Sequence, residues 1–180
     1  MNRPEPWQTA ETPGPEKALV ITKPEIVAAL LKRAKHPIMI VGHGILGCNL
    51  GKEEMIDYVI RLARLSGVTV AATSHIVKEF VEKGFQPAVS ISAIEITDRL
   101  RDPSWKGFDG NRQYDLAIFL GFPYYMEWLI LSGLKNFSPD LKTVSLDKFY
   151  QPNASWSFPN ISTEEWINNL NAIEKEFRNG

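Results

Sequence analysis

The residues best suited to chemistry are Gly42-His43-Gly44-Ile45-Leu46-Gly47, which directly follow the apolar run Ile38-Met39-Ile40-Val41. The spacing is G-x-G-x-x-G, after a strand signal and ahead of a helical pattern, the context that a dinucleotide-binding turn requires. Glycine lets the backbone pass close to a pyrophosphate, and amides left free at a helix start face the anion. Such a helix terminus favours negative charge by about 0.3–1 kcal/mol, enough to orient a phosphate rather than hold it. Two readings stand on these residues alone: a phosphate turn, or glycines that permit a tight strand-to-helix turn.

Two further strand ends have distinctive chemistry. Gly121-Phe122-Pro123 closes the most apolar run of the chain and could set an aromatic ring over a flat cofactor. Asp147 ends a later strand and could accept hydrogen bonds from a ribose, or be an acid in a turn. The predicted cofactor-binding set is therefore Gly42, His43, Gly44, Gly47, Thr73, Gly121, Phe122 and Asp147.

Other chemistries lack their residues. The second strand ends in Thr73-Ser74, where NAD dehydrogenases place the carboxylate that binds the ribose, so that class is disfavoured. A P-loop fails because Gly51-Lys52 is followed by Glu53. One cysteine, Cys48, excludes an internal disulfide, a four-cysteine iron–sulfur cluster or a thiolate-rich zinc site. His36, His43 and His75 show no ligand spacing, and no metal site is expected. Neighbours such as Ser74 and His75 make no catalytic constellation, because a triad is a matter of geometry.

The elements that must position these residues follow from composition and period. The 180 residues, 44% apolar and 23% charged, suit one globular domain. Twenty Lys and Arg against twenty-one Asp and Glu leave no electrostatic footprint for nucleic acid. No run approaches the roughly 20 apolar residues of a membrane span; the longest, 126–134, contains Glu127. The start has no apolar leader, so a cytoplasmic protein is expected.

Residues 1–16 contain Pro4, Pro6, Pro13 and Pro15 and read as an extended arm, with Trp7 lying on this domain or on a partner; 17–180 form one α/β domain. Thr22-Lys23-Pro24-Glu25 has capping-box spacing before a helix with Ile26, Leu30 and Ala34 on one face. Strands are expected at 38–41, 68–72, 116–120 and 143–146, with a weaker one at 88–91. Between and after them the spacing predicts helices near 52–66, 76–83, 93–101 and 124–134. A last helix opens at Ser162-Thr163-Glu164-Glu165 and aligns Trp166, Leu170, Ile173 and Phe177. Continuous apolar strands alternating with helices imply a three-layer, doubly wound, mostly parallel sheet of Rossmann-like type.

Several strings resemble one family. They are Pro37-Ile38-Met39-Ile40-Val41-Gly42, Trp105-Lys106-Gly107-Phe108-Asp109-Gly110, the stretch 114–126, Ser145-Leu146-Asp147-Lys148-Phe149-Tyr150-Gln151-Pro152-Asn153-Ala154 and Ser157-Phe158-Pro159-Asn160. Together they resemble the epsilon subunits of archaeal acetyl-CoA decarbonylase/synthase, the carbon monoxide dehydrogenase complex. The resemblance implies a fold like the NAD/FAD-binding domain of deoxyhypusine synthase and sirtuins, with a cofactor across the strand ends. It implies a non-catalytic accessory chain that pairs with the metal-bearing alpha subunit as an alpha-two/epsilon-two unit. That chain would stabilise alpha or help pass electrons to FAD, and self-association is also open. The aromatic content, five Trp, five Tyr and nine Phe, points to contact surfaces around Trp7, the Trp105 loop and residues 150–156. The alternatives are a stand-alone NAD- or FAD-binding protein, or an isolated middle domain of a thiamine-diphosphate enzyme.

Overall fold

The computed structural model describes residues 14–178; most of the predicted arm, with Trp7, lies outside them. In chain order the elements begin with β1 (Leu19–Val20), α1 (Glu25–Arg33), β2 (Pro37–Val41), β3 (Asn49–Leu50), β4 (Glu53–Glu54) and α2 (Met55–Ser66). They continue with β5 (Thr69–Ala72), α3 (Val77–Glu82), β6 (Val89–Ser90), α4 (Ala93–Arg101), β7 (Leu116–Leu120) and α5 (Tyr124–Phe137). Last come β8 (Lys142–Ser145), β9 (Trp156–Ser157) and α6 (Thr163–Arg178).

Seven strands form one sheet in the order β1-β9-β8-β7-β2-β5-β6, and every pairing in it is parallel. The continuous apolar strands are explained by burial on both faces. Met39 and Val41 of β2 join Leu116, Ile118 and Leu120 of β7 in one layer, with Val27 and Leu31 of α1, much of α2, and Leu170 and Ile173 of α6. Ile38 and Ile40 join Ala117 and Phe119 in the other layer, with Ile96 and Leu100 of α4 and Leu131 and Leu134 of α5. This is the three-layer α/β arrangement expected.

From β2 the chain winds outward through β5 to β6. It then returns by α4 to β7 on the other side of β2, and winds outward again through β8 and β9. Strand order therefore reverses between β2 and β7, and a crevice opens outside their carboxyl ends.

Local signals explain most helix ends. Gly67 takes φ 71° and stops α2, and the Ser92 and Ser162 hydroxyls accept from the amides of Glu95 and Glu165. The Thr22 capping box does not form. Pro24 occupies the cap with no side-chain bond, its fixed φ setting up the first turn unaided. The deeply buried face of α1 is accordingly Val27, Ala28 and Leu31, while Leu30 and Ala34 are half-buried. Of the aromatics expected at contact surfaces, Tyr150 is buried, while Trp105 and Trp156 are half-buried, Trp105 against Phe108 and Tyr114 with ring centroids 5.0 and 5.6 Å away. Among the described residues, the exposed aromatics are Tyr125, Phe137 and Phe149.

Candidate functional site

At the end of β2 the two loops of the switch point meet backbone to backbone. The amide of Gly42 donates to the carbonyl of Leu120 (2.9 Å), and that of Gly44 to the carbonyl of Gly121 (2.8 Å). A Cβ on Gly42 would stand 2.3 Å from the Gly121 oxygen, and one on Gly44 would stand 2.7 Å from it. Gly121 itself takes φ 81°, and a Cβ there would meet Ile45 Cγ2 at 2.5 Å. The first two glycines of G-x-G-x-x-G thus serve a close approach to a third glycine on the neighbouring strand.

The turn then departs from a dinucleotide turn. Residues 43–45 form a short 3-10 helix, the antiparallel hairpin β3–β4 intervenes, and α2 begins only at Met55, later than the expected start near Lys52. The amides of Gly42, Gly44, Ile45, Leu46 and Cys48 all donate to backbone carbonyls. The start of α2 is surrounded by acids: Glu54 and Asp57 bind Lys83 at 2.7 and 3.0 Å, and Glu53 binds Arg61 at 2.6 Å.

Beside this junction lies a cleft of about 270 Å³, lined by Gly44, Cys48, Gly121, Phe122, Glu127 and Asp147 among others, with Phe149, Gln151 and Trp166 completing its wall. Asp147 is already engaged. Both of its carboxylate oxygens accept from the Gly121 amide (3.0 Å), and Oδ2 also accepts from the Phe122 amide (3.3 Å). Glu127, from the first turn of α5, is wholly buried beside it. Burial, reinforced by the neighbouring Asp147 charge, pushes the Glu127 carboxyl well above the usual range. Burial also raises Asp147, against the pull of its two amide partners. Asp147 has two backbone amides to hold a charge, and the hydrogen bond between the two carboxyls raises Glu127 and lowers Asp147, so the pair's proton belongs on Glu127, shared with Asp147.

Gln151 fixes the pair from the far side: its Nε2 donates to the Tyr124 carbonyl (3.0 Å) and to Glu127 Oε2 (3.4 Å). Gln151 Oε1 is buried without a hydrogen-bond partner, whereas Glu127 is also within side-chain hydrogen-bond reach of Ser145 and Asp147. At the rim, Lys148 Nζ donates to Thr163 Oγ1 (3.0 Å) and lies 5.4 Å from the centre of the Phe149 ring. The Trp166 indole is locked by its Nε1 donating to the Leu146 carbonyl (2.6 Å).

A family model described as CO dehydrogenase beta subunit/acetyl-CoA synthase epsilon subunit matches residues 1–175. The chain belongs to this family. Three relatives are similar at this level, each an acetyl-CoA decarbonylase/synthase complex subunit epsilon. That of Methanothrix soehngenii is 39% identical over 160 residues, 88% of this chain and 82% of the relative. That of Methanothermobacter thermautotrophicus is 36% identical over 172 residues, 95% of both chains. Subunit epsilon 1 of Archaeoglobus fulgidus is 40% identical over 144 residues, 79% of this chain and 74% of the relative. The resemblance in the sequence strings is borne out.

Within this epsilon-family chain the predicted site residues divide. Gly44, Gly121, Phe122 and Asp147 line one cleft, and Gly42 is buried beneath their junction. His43 is exposed on the loop, and Gly47 takes φ 71° in open space. Thr73 caps β5, its amide donating to the Val41 carbonyl at 3.1 Å, and does not line the cleft. Sequence reasoning missed Glu127, Gln151, Lys148 and Phe149. For Glu127 a signal was present: it is the one charged residue in the apolar run 126–134. Among the described residues, no group of three or more His, Cys, Asp or Glu side chains is placed to hold a metal, and no helix is long and apolar enough to cross a membrane.

Proposed function

We propose that this chain is the epsilon subunit of a cytoplasmic acetyl-CoA decarbonylase/synthase complex, an accessory chain that docks on the carbon monoxide dehydrogenase alpha subunit and stabilises it. The observation that carries the reading is the family match over residues 1–175, with 95% of the chain aligned to a relative of that name. The exposed apolar side chains of α5, Tyr125, Leu129 and Phe137, are of the kind that contact surfaces use. Co-expression with a relative's alpha subunit tests it. Co-elution in equal proportion, with a higher melting temperature for alpha than alone, is expected; separate elution would sink the proposal.

FAD, the cofactor the resemblance implies, fits these residues in part. The aromatic walls of the cleft suit a flat ring. The pyrophosphate does not fit the glycine turn, whose amides at Gly42, Gly44, Ile45, Leu46 and Cys48 are engaged and whose flanking helix start is acidic. A cleft of about 270 Å³ lies at the low end of ligand pockets, short of a whole dinucleotide.

A further inference from the structure

We infer that the cleft at the amino ends of β1, β8 and β9 is a binding site for a small organic dianion, a phosphate monoester or a dicarboxylate, held by Lys142, Asn153 and the hydroxyls of Thr143 and Ser155. The cleft measures about 430 Å³, within the usual range of ligand pockets, and lies at the opposite end of β8 from Asp147. Lys142 and Thr143 open β8, Lys135 comes from the end of α5, Leu19 from β1, and Asn153, Ser155 and Trp156 from the segment leading into β9. The site is thus assembled from distant parts of the chain, and it shares no residue with the switch-point cleft.

Donors dominate the polar lining. Asn153 is 4% exposed, and its Nδ2 is buried with no hydrogen-bond partner, a rare condition that calls for an explanation. Thr143 and Ser155 spend their hydroxyl oxygens on each other's backbone: the Ser155 amide donates to Thr143 Oγ1 and the Thr143 amide to Ser155 Oγ, both at 3.0 Å. Each hydroxyl keeps its hydrogen for a ligand. Side-chain N–H and O–H groups together are matched by oxygens that only accept, which phosphate and carboxylate supply. Charge sets the valence. Among the described residues that line the cleft, Lys17, Lys135 and Lys142 stand against Glu16 alone, so a dianion neutralises it. Lys135, which donates to the Glu16 carbonyl, and Lys17 contribute field, and the exposed Lys142 is the ammonium that meets the ligand. Burial lowers the Lys135 ammonium from its usual range, and an anion beside it opposes that shift. Half-buried Trp156 and exposed Leu19 give an apolar wall for the organic part. This inference stands on the cleft alone and does not need the alpha subunit.

Calorimetric titration of the full chain at low salt with phenyl phosphate and with phthalate tests the inference and separates the two oxyanion sources, with the monoanion benzoate as control. Saturable 1:1 binding of at least one dianion is expected, about tenfold tighter than benzoate. Asn153→Leu replaces the orphaned donor by an apolar group of similar size and should weaken binding about tenfold. Lys142→Met, at an exposed position where folding is not at stake, should weaken it about fivefold. Lys78→Met removes the same charge from the exposed face of α3 and should leave the affinity unchanged. Lack of saturable binding by both dianions at millimolar concentration would overturn the inference. So would benzoate binding as tightly as the dianions, an affinity that neither Asn153→Leu nor Lys142→Met changes, or an equal loss from Lys78→Met and Lys142→Met.

Discussion

Gly121 and Gly47 separate two uses of glycine that look alike in sequence. Both take positive φ, 81° and 71°, but a Cβ on Gly121 would strike Ile45 and the Gly42 carbonyl, whereas nothing lies within 4 Å of one on Gly47. Gly47→Ala should therefore cost only the left-handed penalty, about 1–2 kcal/mol. Gly121→Ala adds overpacking of a rigid backbone junction and should cost about 2–4 kcal/mol. Urea unfolding of the two variants checks the ranking, and equal losses would contradict it. Glu127 carries a second residue-scale expectation. Its folded pKa is raised by burial, so between the unfolded carboxyl's pKa, about 4.3, and the folded one the native state binds a proton that the unfolded chain has released. Below that window the group contributes nothing, and its penalty grows as pH rises. Glu127→Gln removes the titration, so the stability of the variant relative to the parent should increase from pH 5 to pH 8 in parallel melts. A gap constant with pH would contradict the assignment.

At the scale of elements, Arg61 of α2 ties the hairpin to the last helix. Its guanidinium binds Glu53 at 2.6 Å and Glu174 of α6 at 2.9 Å, and Arg178 adds a second cation to Glu174. Burial alone would raise the Glu174 carboxyl, but the Arg61 hydrogen bonds outweigh it and hold the group below the usual range. A depressed carboxyl stabilises above its unfolded pKa and loses that contribution as pH falls. Arg61→Met should thus cost about 2 kcal/mol at pH 7, below the fully buried figure because Arg61 stays partly in water, and the deficit should shrink below about pH 4. The same scale shows what was legible in sequence. The strands β2, β5 and β7, the Gly67 stop and the Ser162 cap follow from local chemistry and are where the sequence puts them. The two-residue strands β1 and β9 have no period to read and exist through pairing with each other and with β8. The hairpin β3–β4 interrupts what looks like a turn into a helix. In the site, Gly121 and Asp147 could be picked out as strand-end residues. Gln151 could not, because its meaning arises only when β8 and α5 bring it against Glu127.

At the scale of the whole molecule, the two apolar layers share one sheet. Along β2 and β7 successive side chains alternate between the layers, so removing the helices of either face would leave the same strands with half their apolar contacts. Chains longer than about 150 residues often unfold through intermediates, yet this construction gives neither layer a sheet of its own. The expectation is one cooperative transition. Trp166 reports the layer of α1, α2 and α6, and Trp105 packs against the layer of α4 and α5. Labelling with 5-fluorotryptophan makes each indole separately visible by fluorine NMR, and the native resonances of Trp105 and Trp166 should vanish at the same urea concentration. Loss of the Trp105 signal while Trp166 persists would show instead that the α4–α5 layer opens by itself. The cleft floor, where Glu127 of α5 meets Asp147 at the end of β8, would then be disrupted before the rest of the sheet.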